Sequence, residues 1–272
     1  MAHAPVPPRI RRAQASALVL LVIAGTLNYV DRAALSIANP LIREELGLSI
    51  ADMGLLLSAF LWAYAFSQLP GGALTDRLGS RRLLGLGLLV WSLAQAAAGL
   101  VGSFWQFVVA RVFLGVFSGA ARVVRDWWNV RDRGLPTGIW NCASSLGPTI
   151  APPLLTVLMI SFGWRWMFVS MGLLGIVVAI VWYTVYREVE EAALSPGEAH
   201  HLTEGEEEPA PAQHVTLAEW GQLFGFRVTW GLILGFFGIV YNVASNGGNG
   251  ALRIAYGSRG PIGIKSGDGN ER

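Results

Sequence analysis

The sequence is short of what a water-soluble globule needs. Charged residues make up only 14% of its 272 residues, against about 25% in an ordinary soluble domain. Apolar residues reach 53% before the 33 glycines are counted, which leaves too little polar surface to coat a soluble fold. That balance excludes a soluble enzyme, a disordered chain and a fibre. A single cysteine, Cys142, excludes a disulfide scaffold and a cysteine-based zinc cluster. Lysine occurs once, at Lys265, so the positive charge is almost all arginine. The net charge of +2 hides an uneven layout. Residues 1–187 carry 15 Arg against 7 Asp and Glu, or +8. Residues 188–226 carry 9 Glu and no Lys or Arg, or −9, and residues 227–272 return to +3. A membrane protein with an acidic loop has such a layout.

What is present is apolar runs. A helix needs about 20 residues to cross a ~30 Å hydrocarbon core. Six runs qualify: Gln14–Asn39, Met53–Leu74, Leu83–Val101, Phe104–Val124, Leu135–Ile160 and Trp164–Tyr186. A seventh, Val228–Ala244, is short at 17 residues. The first run is preceded by Arg11 and Arg12 like a signal peptide, but five further spans follow it. Small residues recur within the runs, at Gly85 and Gly87, Ala94 and Ala96 to Ala98, and Gly115 and Gly119. Helices in lipid pack through such residues, because lipid supplies no hydrophobic drive between them; a generic Ala/Gly-rich composition gives the same pattern.

Arginine placement sets the orientation. Arg9, Arg11 and Arg12 precede span 1. Arg77, Arg81 and Arg82 lie between spans 2 and 3, and Arg122, Arg125, Arg131 and Arg133 between spans 4 and 5. The alternate loops carry only Arg43, beside Glu44 and Glu45, and Arg165. The expectation is a multi-pass protein of the cell (inner) membrane with a cytoplasmic N-terminus. Its organisation reads as a cytoplasmic tail over 1–13, a six-helix bundle over 14–187, an acidic cytoplasmic linker over 188–226, a partial seventh helix over 227–244 and a Gly-rich irregular tail over 245–272. His200, His201 and His214 lie beside glutamates in the linker, but nothing fixes their geometry for a metal. Neither metal nor cofactor is expected.

Ionisable residues within spans are expensive and therefore point to function. Span 1 contains Asn28-Tyr29-Val30-Asp31-Arg32. Asn28, Tyr29 and Arg32 share one helix face, with Asp31 turned about 100° away. Arg32 offers a planar fork to a carboxylate and stays charged; Tyr29 adds a hydrogen bond; Asp31 holds Arg32 or accepts a proton. A structural Asp–Arg pair, or a helix that ends at Val30, is the competing reading. Arg111, inside span 4, needs a partner, and Asp31 is the obvious one. Span 5 carries Asn141, Ser144 and Ser145, then Gly147-Pro148 and Pro152-Pro153, which suit a bent helix lining a cavity and equally suit small-residue packing.

Three stretches carry a family resemblance. GGALTDRLGSRR, with Gly72, Asp76, Arg77, Gly79, Arg81 and Arg82, resembles the signature loop of major facilitator superfamily transporters. RVFLG at Arg111–Gly115 resembles their helix-4 motif, and NYVDRAALSIANPLI at Asn28–Ile42 resembles the anion:cation symporter branch, carriers of sugar acids and other organic anions. The resemblance implies an all-α membrane protein, here the six-helix N-terminal bundle of that fold plus a partial seventh helix. It implies a transporter working by alternating access around a midplane site, with a small organic anion and a proton as partners in the lipid bilayer, and no nucleic acid. By the same resemblance Arg32 binds the substrate carboxylate, Tyr29, Asn141 and Ser144 line the site, Asp31 serves proton coupling, and the signature-loop residues form a cytoplasmic gate.

The sequence departs from that pattern twice. A Gly-Glu-Ala-Pro segment normally follows the helix-4 motif, and its Glu carries protons. Here the stretch Arg111–Trp128 has Ser118 and reads about five residues short, worth about 7.5 Å and 140° of helix. The second six-helix bundle is also missing from this chain, which favours as an alternative a degenerate, non-transporting half-transporter from a truncated or frameshifted gene. An enzyme is not expected: no span holds His, a Ser/Lys pair or an acid cluster, and Cys142 has no basic neighbour to lower its pKa.

Overall fold

The computed structural model describes residues 6–115, 120–192, 194–203, 222, 224–231 and 234–235. Among these there is helix and no strand. The helices are α1 (Pro8–Leu46), α2 (Ile50–Leu78), α3 (Ser80–Ala98), α4 (Phe104–Leu114), α5 (Ala120–Trp127), α6 (Gly134–Asn141), α7 (Ala143–Val185) and α8 (Pro196–Thr203). The chain divides into two compact units, Met1–Glu207 and Glu208–Arg272, and the bundle is the first of them. In the second, residues 227–231 and 234–235 are helical, and the rest of the short seventh run lies outside the described residues.

Helix boundaries follow local chemistry. α1 starts with Pro8 in its first turn, where a missing N–H costs nothing. Residues 8–13, read from the sequence as tail, therefore belong to the helix. It ends at Gly47 in the left-handed region, φ 64°, whose N–H bonds back to Arg43. Pro40 is tolerated within it. The Gly134–Val185 stretch runs for 52 residues, about 78 Å of helix, more than twice what one crossing requires. It reverses at Gly163, φ 82°, so α7 has two limbs and supplies the fifth and sixth spans.

Glycine contacts fix the register between elements. A Cβ at Gly25 would press on Ala143 at 2.9 Å, and one at Gly147 would overlap Tyr29; α1 and the first limb of α7 therefore run in parallel. Along the second limb, Gly172 abuts Ala96 and Gly175 abuts Ser92, so that limb runs antiparallel to α3. The core is built from residues such as Leu27, Leu35, Phe107, Leu155, Met167 and Phe168. The outward surface stays apolar, with Leu86, Trp105, Val157, Ile160 and Ile180 all exposed. Lipid, not water, is the solvent that such a surface matches.

Each end of the bundle is closed by polar contacts. At the arginine-rich end, Gln14 donates to the Trp127 carbonyl (2.7 Å) and the Trp127 indole donates to the Arg187 carbonyl (3.2 Å). At the other end, Glu45 accepts from the Trp164 indole and from Arg165 Nε (3.0 Å). Arg165 Nη1 also donates to the Val101 carbonyl (2.7 Å), tying α1, the α3–α4 turn and α7 together.

Candidate functional site

The polar cluster of α1 lies mid-helix and divides between two environments. Tyr29 and Arg32, with Asn28, line a cavity of about 140 Å³. α2 adds Tyr64, α3 adds Trp91, and α6 adds Trp140. Among the described residues, Arg32 is the one charged side chain of that lining. Its guanidinium carbon sits 5.0 Å from the Tyr29 ring, 5.0 Å from Phe60 and 4.7 Å from Tyr64. Phe60 and Tyr64, one turn apart on α2, stack at 5.9 Å. Three ring faces of negative quadrupole stabilise the cation without using its hydrogen bonds. Arg32 Nε has no hydrogen-bond partner among the described residues. A planar fork held this way can receive a carboxylate.

Asp31 points elsewhere. It is buried (1% exposed), as is Arg111 (3%). The Arg111 charge acts on Asp31, and the Trp91 indole N–H faces the carboxylate without reaching hydrogen-bond geometry. Arg111 also lies over the rings of Phe107 (5.6 Å) and Phe168 (5.9 Å). Asp31 and Arg111 thus lie within electrostatic reach of each other, without a direct ion pair among the described residues, one helix face away from Arg32.

Asn141 and Ser144 are exposed, and each spends its polar group on the backbone of the turn before it. Asn141 Nδ2 donates to the Thr137 carbonyl (2.9 Å), and Ser144 Oγ donates to the Asn141 carbonyl (2.7 Å). From this segment it is Trp140 that lines the cavity. Cys142 is exposed at the α6–α7 junction, its Sγ 3.3 Å from the Gly138 carbonyl. The backbones of His200 and His201 belong to α8; their side chains, and His214 altogether, lie outside the described residues.

A bundle whose apolar helices enclose a cavity with an arginine, Arg32, in its lining, and a basic loop after the second apolar run, invites comparison with membrane carriers. Residues 21–253 match the profile of the Major Facilitator Superfamily. The chain belongs to the Major Facilitator Superfamily. It is 45% identical over 253 residues to a probable L-galactonate transporter of Escherichia coli (strain K12), covering 88% of this chain and 56% of that protein. It is 35% identical to a probable galactarate/D-glucarate transporter of Bacillus subtilis (strain 168), over 68% of this chain and 44% of that one. A hexuronate transporter of the same organism is 32% identical, over 68% and 48% respectively. The chain spans about half the length of these relatives. Among solved structures it resembles a bacterial homologue of the human lysosomal transporter Spinster, inward-facing and unoccupied. The TM-score is 0.61 at 23% identity, over 78% of this chain and 49% of that one, a likeness of fold.

The superfamily's signature loop is compact here. Gly72, Asp76 and Arg77 belong to the last turns of α2, and their side chains lie outside the described residues. Gly79 alone separates α2 from α3. Arg82 is exposed, whereas Arg81 is engaged: it donates to the Tyr183 carbonyl (2.9 Å) and pairs with Glu191 (2.7 Å). Ser118 falls outside the described residues, between α4 and α5.

Several members of this arrangement escaped the sequence reading. Phe60 and Tyr64 looked like ordinary apolar-run residues, and only their i, i+4 spacing hinted at a shared face. Trp91 and Trp140 likewise looked like packing residues. Gln95, an amide in the middle of the Leu83–Val101 run, is fully buried.

Proposed function

We propose that this chain forms the arginine-bearing bundle of a carrier for small organic anions of the sugar-acid class, driven by protons. One observation carries the reading: the Arg32 guanidinium, flanked by three rings in the cavity, keeps hydrogen-bonding capacity unspent. The names of the relatives, which refer to L-galactonate, galactarate, D-glucarate and hexuronates, support an anionic sugar derivative as substrate. In this reading Arg32 takes the carboxylate and Tyr29 a hydroxyl. Asp31 takes and releases the coupled proton against Arg111. Asn141 and Ser144, exposed on the α6–α7 side, meet substrate or a facing bundle when the cavity closes. Gly72, Asp76, Arg77, Gly79, Arg81 and Arg82 form the cytoplasmic gate. The N-terminus is cytoplasmic, at the inner membrane, since the arginine-rich end gathers Arg9, Arg81, Arg125 and Arg187. Alternating access requires a second six-helix bundle that closes on the same cavity. No cofactor enters the cycle.

The test is uptake of labelled galactonate or glucarate into proteoliposomes under an inward proton gradient. Uptake by the chain above that of an Arg32→Ala control supports the reading. Uptake equal to the control, with galactonate binding to the bundle also unchanged by Arg32→Ala, sinks it and leaves a non-transporting bundle.

A further inference from the structure

The Asp31–Arg111 pair has a third neighbour that nothing so far assigns. Gln95 on α3 is fully buried, at 0% exposure, and neither its Oε1 nor its Nε2 has a hydrogen-bond partner among the described residues. Its depth follows from helix register. A Cβ at Gly175 would overlap Ser92 and lie 3.5 Å from Leu27, so these three share one level. One turn further along, Asp31 on α1, Gln95 and Ala96 on α3, and Gly172 on α7 share the next. A turn beyond that, Gly99 meets Phe168. The Arg111 guanidinium lies 5.9 Å from the Phe168 ring and acts on Asp31. It therefore spans the interval on which Gln95 sits. Facing agrees with depth: Trp91 faces Asp31, and Gln95 lies four residues on, over the same face. Ser92 and Ala96, turned about 100° away, are the residues that meet α7.

The unspent hydrogen bonds at this level complement one another. Arg111 Nε and Nη2 and the Trp91 indole N–H lack acceptors, and Asp31 Oδ1 lacks a donor, among the described residues. An amide both donates and accepts. It can donate to an ionised Asp31 while accepting from Arg111, and it can accept from Asp31 once that carboxyl carries a proton. Buried polar groups left unmatched are costly, so a side chain that satisfies both states lowers the cost of moving between them. We propose that Gln95 is the positioning residue of the Asp31–Arg111 pair, exchanging hydrogen bonds with it, directly or through an enclosed water, as Asp31 takes up and releases a proton. The proposal rests on the reading of Asp31 as the proton carrier. Among the described residues the charged group that acts on Asp31 is Arg111 from α4, with Arg32 next to it in its own helix. Among the described residues, α3 and α7 present the non-titrating Trp91, Gln95, Gly172 and Phe168 around this level.

The experiment is an infrared pH titration of the full chain in lipid nanodiscs, with the protonated Asp31 band assigned by its loss in Asp31→Asn. Gln95→Met keeps length and loses polarity, and it is expected to move the titration midpoint by about tenfold in proton concentration. Gln95→Asn retains the amide, one methylene short, and is expected to move it by about twofold to threefold. If one variant fails to fold, the other decides. A midpoint unchanged from wild type in the folded variants overturns the proposal, since a packing role alone would leave it in place. Absence of any titrating Asp31 band in the wild-type chain overturns it too. Failure of the transport reading shows separately, as no gradient-driven uptake by a chain whose Asp31 still titrates.

Discussion

Glu188 accepts the backbone N–H of Arg81 at 2.9 Å, and so closes the amino-terminal end of α3 from beyond the far end of α7. The first N–H groups of a helix have no partner within it, and Gly79 at the N-cap has no side chain to offer them. A carboxylate meets that need and also complements the helix dipole. The Arg81 side chain then returns to the Tyr183 carbonyl and Glu191, while the Trp182 indole donates to the Arg81 carbonyl (3.2 Å).

Gly79 is expected to be irreplaceable at this junction. Its φ is 80°, and a Cβ there would overlap the Glu188 carboxylate. Gly79→Ala incurs the cost of a side chain at that positive φ, at least about 1 kcal/mol, and displaces a cap worth about another 1 kcal/mol. In a chain of this size that lowers the thermal midpoint by about 4–8 °C, read from tryptophan fluorescence in detergent. Glu188→Ala should lose about half as much, and Glu188→Gln, which keeps an acceptor, less again. A Gly79→Ala midpoint equal to wild type would contradict the capping arrangement.

The close approach of α1 to α7 makes a second, sharper contrast. A Cβ at Gly147 would overlap Tyr29 and come within 2.9 Å of the Thr26 carbonyl, whereas nothing lies within 4 Å of a Cβ placed at Gly138. Gly147→Ala is expected to cost about 1–3 kcal/mol through overpacking and to disturb the cavity beside Tyr29. Gly138→Ala, in a neighbouring helix, should stay within about 0.5 kcal/mol of wild type. Parallel thermal scans of the two variants decide the matter. Equal midpoints would mean that α1 and α7 are not packed as described.

The long apolar helices were legible because about twenty apolar residues in a row have few fates other than a membrane crossing. Asp31 and Arg111 were legible for the same reason, since an ionised group inside such a run demands an explanation. The aromatic setting of Arg32 was not legible, because Phe60 and Tyr64 come from another helix and tertiary proximity leaves no trace in the periodicity of either. Residues 188–226 read as a solvated acidic linker; yet Glu188 and Glu191 are bonded to Arg81, more than a hundred positions away. Their count and sign were visible, and their partner was not. Asn141 and Ser144 show the converse limit, since a polar side chain in a span can satisfy itself on the preceding turn of its own helix.

Glu45 gives a pH dependence with a definite sign. It lies past Asn39, where the first span ends. The Trp164 indole, and then Arg165, hold its carboxyl below the ordinary glutamate value. A carboxyl whose folded value is depressed contributes stability above its unfolded value, about 4.3, and loses it as pH falls through the folded one. Glu45 and Arg165 are both substantially exposed, so the contribution stays at or below about 1 kcal/mol. Wild type is expected to melt above Glu45→Gln at neutral pH, and the two midpoints should converge as the pH drops below about 4. A gap that stays constant down to that pH would show that the Glu45 charge plays no part in this clasp.

Arg32 and Phe60 allow the cavity's electrostatics to be separated from its shape. Lys in place of Arg32 keeps the charge but loses the planar fork and its fit to the ring faces. Arg32→Lys is therefore expected to weaken sugar-acid binding by about tenfold or more, since a bidentate charged contact is worth about 1.5–3 kcal/mol. Phe60→Leu keeps an apolar side chain on α2 and removes one of the three rings around the guanidinium. A cation–π contact of about 0.5–1 kcal/mol translates into about twofold to fivefold weaker binding, and Phe60→Tyr should restore it. Titration of glucarate against the fluorescence of Trp91 and Trp140, both of which line the cavity, reads all three variants directly. A Phe60→Leu chain that binds as wild type does, while Arg32→Lys fails, would assign the orientation of the fork to Tyr29 and Tyr64 alone. Wild-type affinity in Arg32→Lys would remove the carboxylate fork from the site altogether.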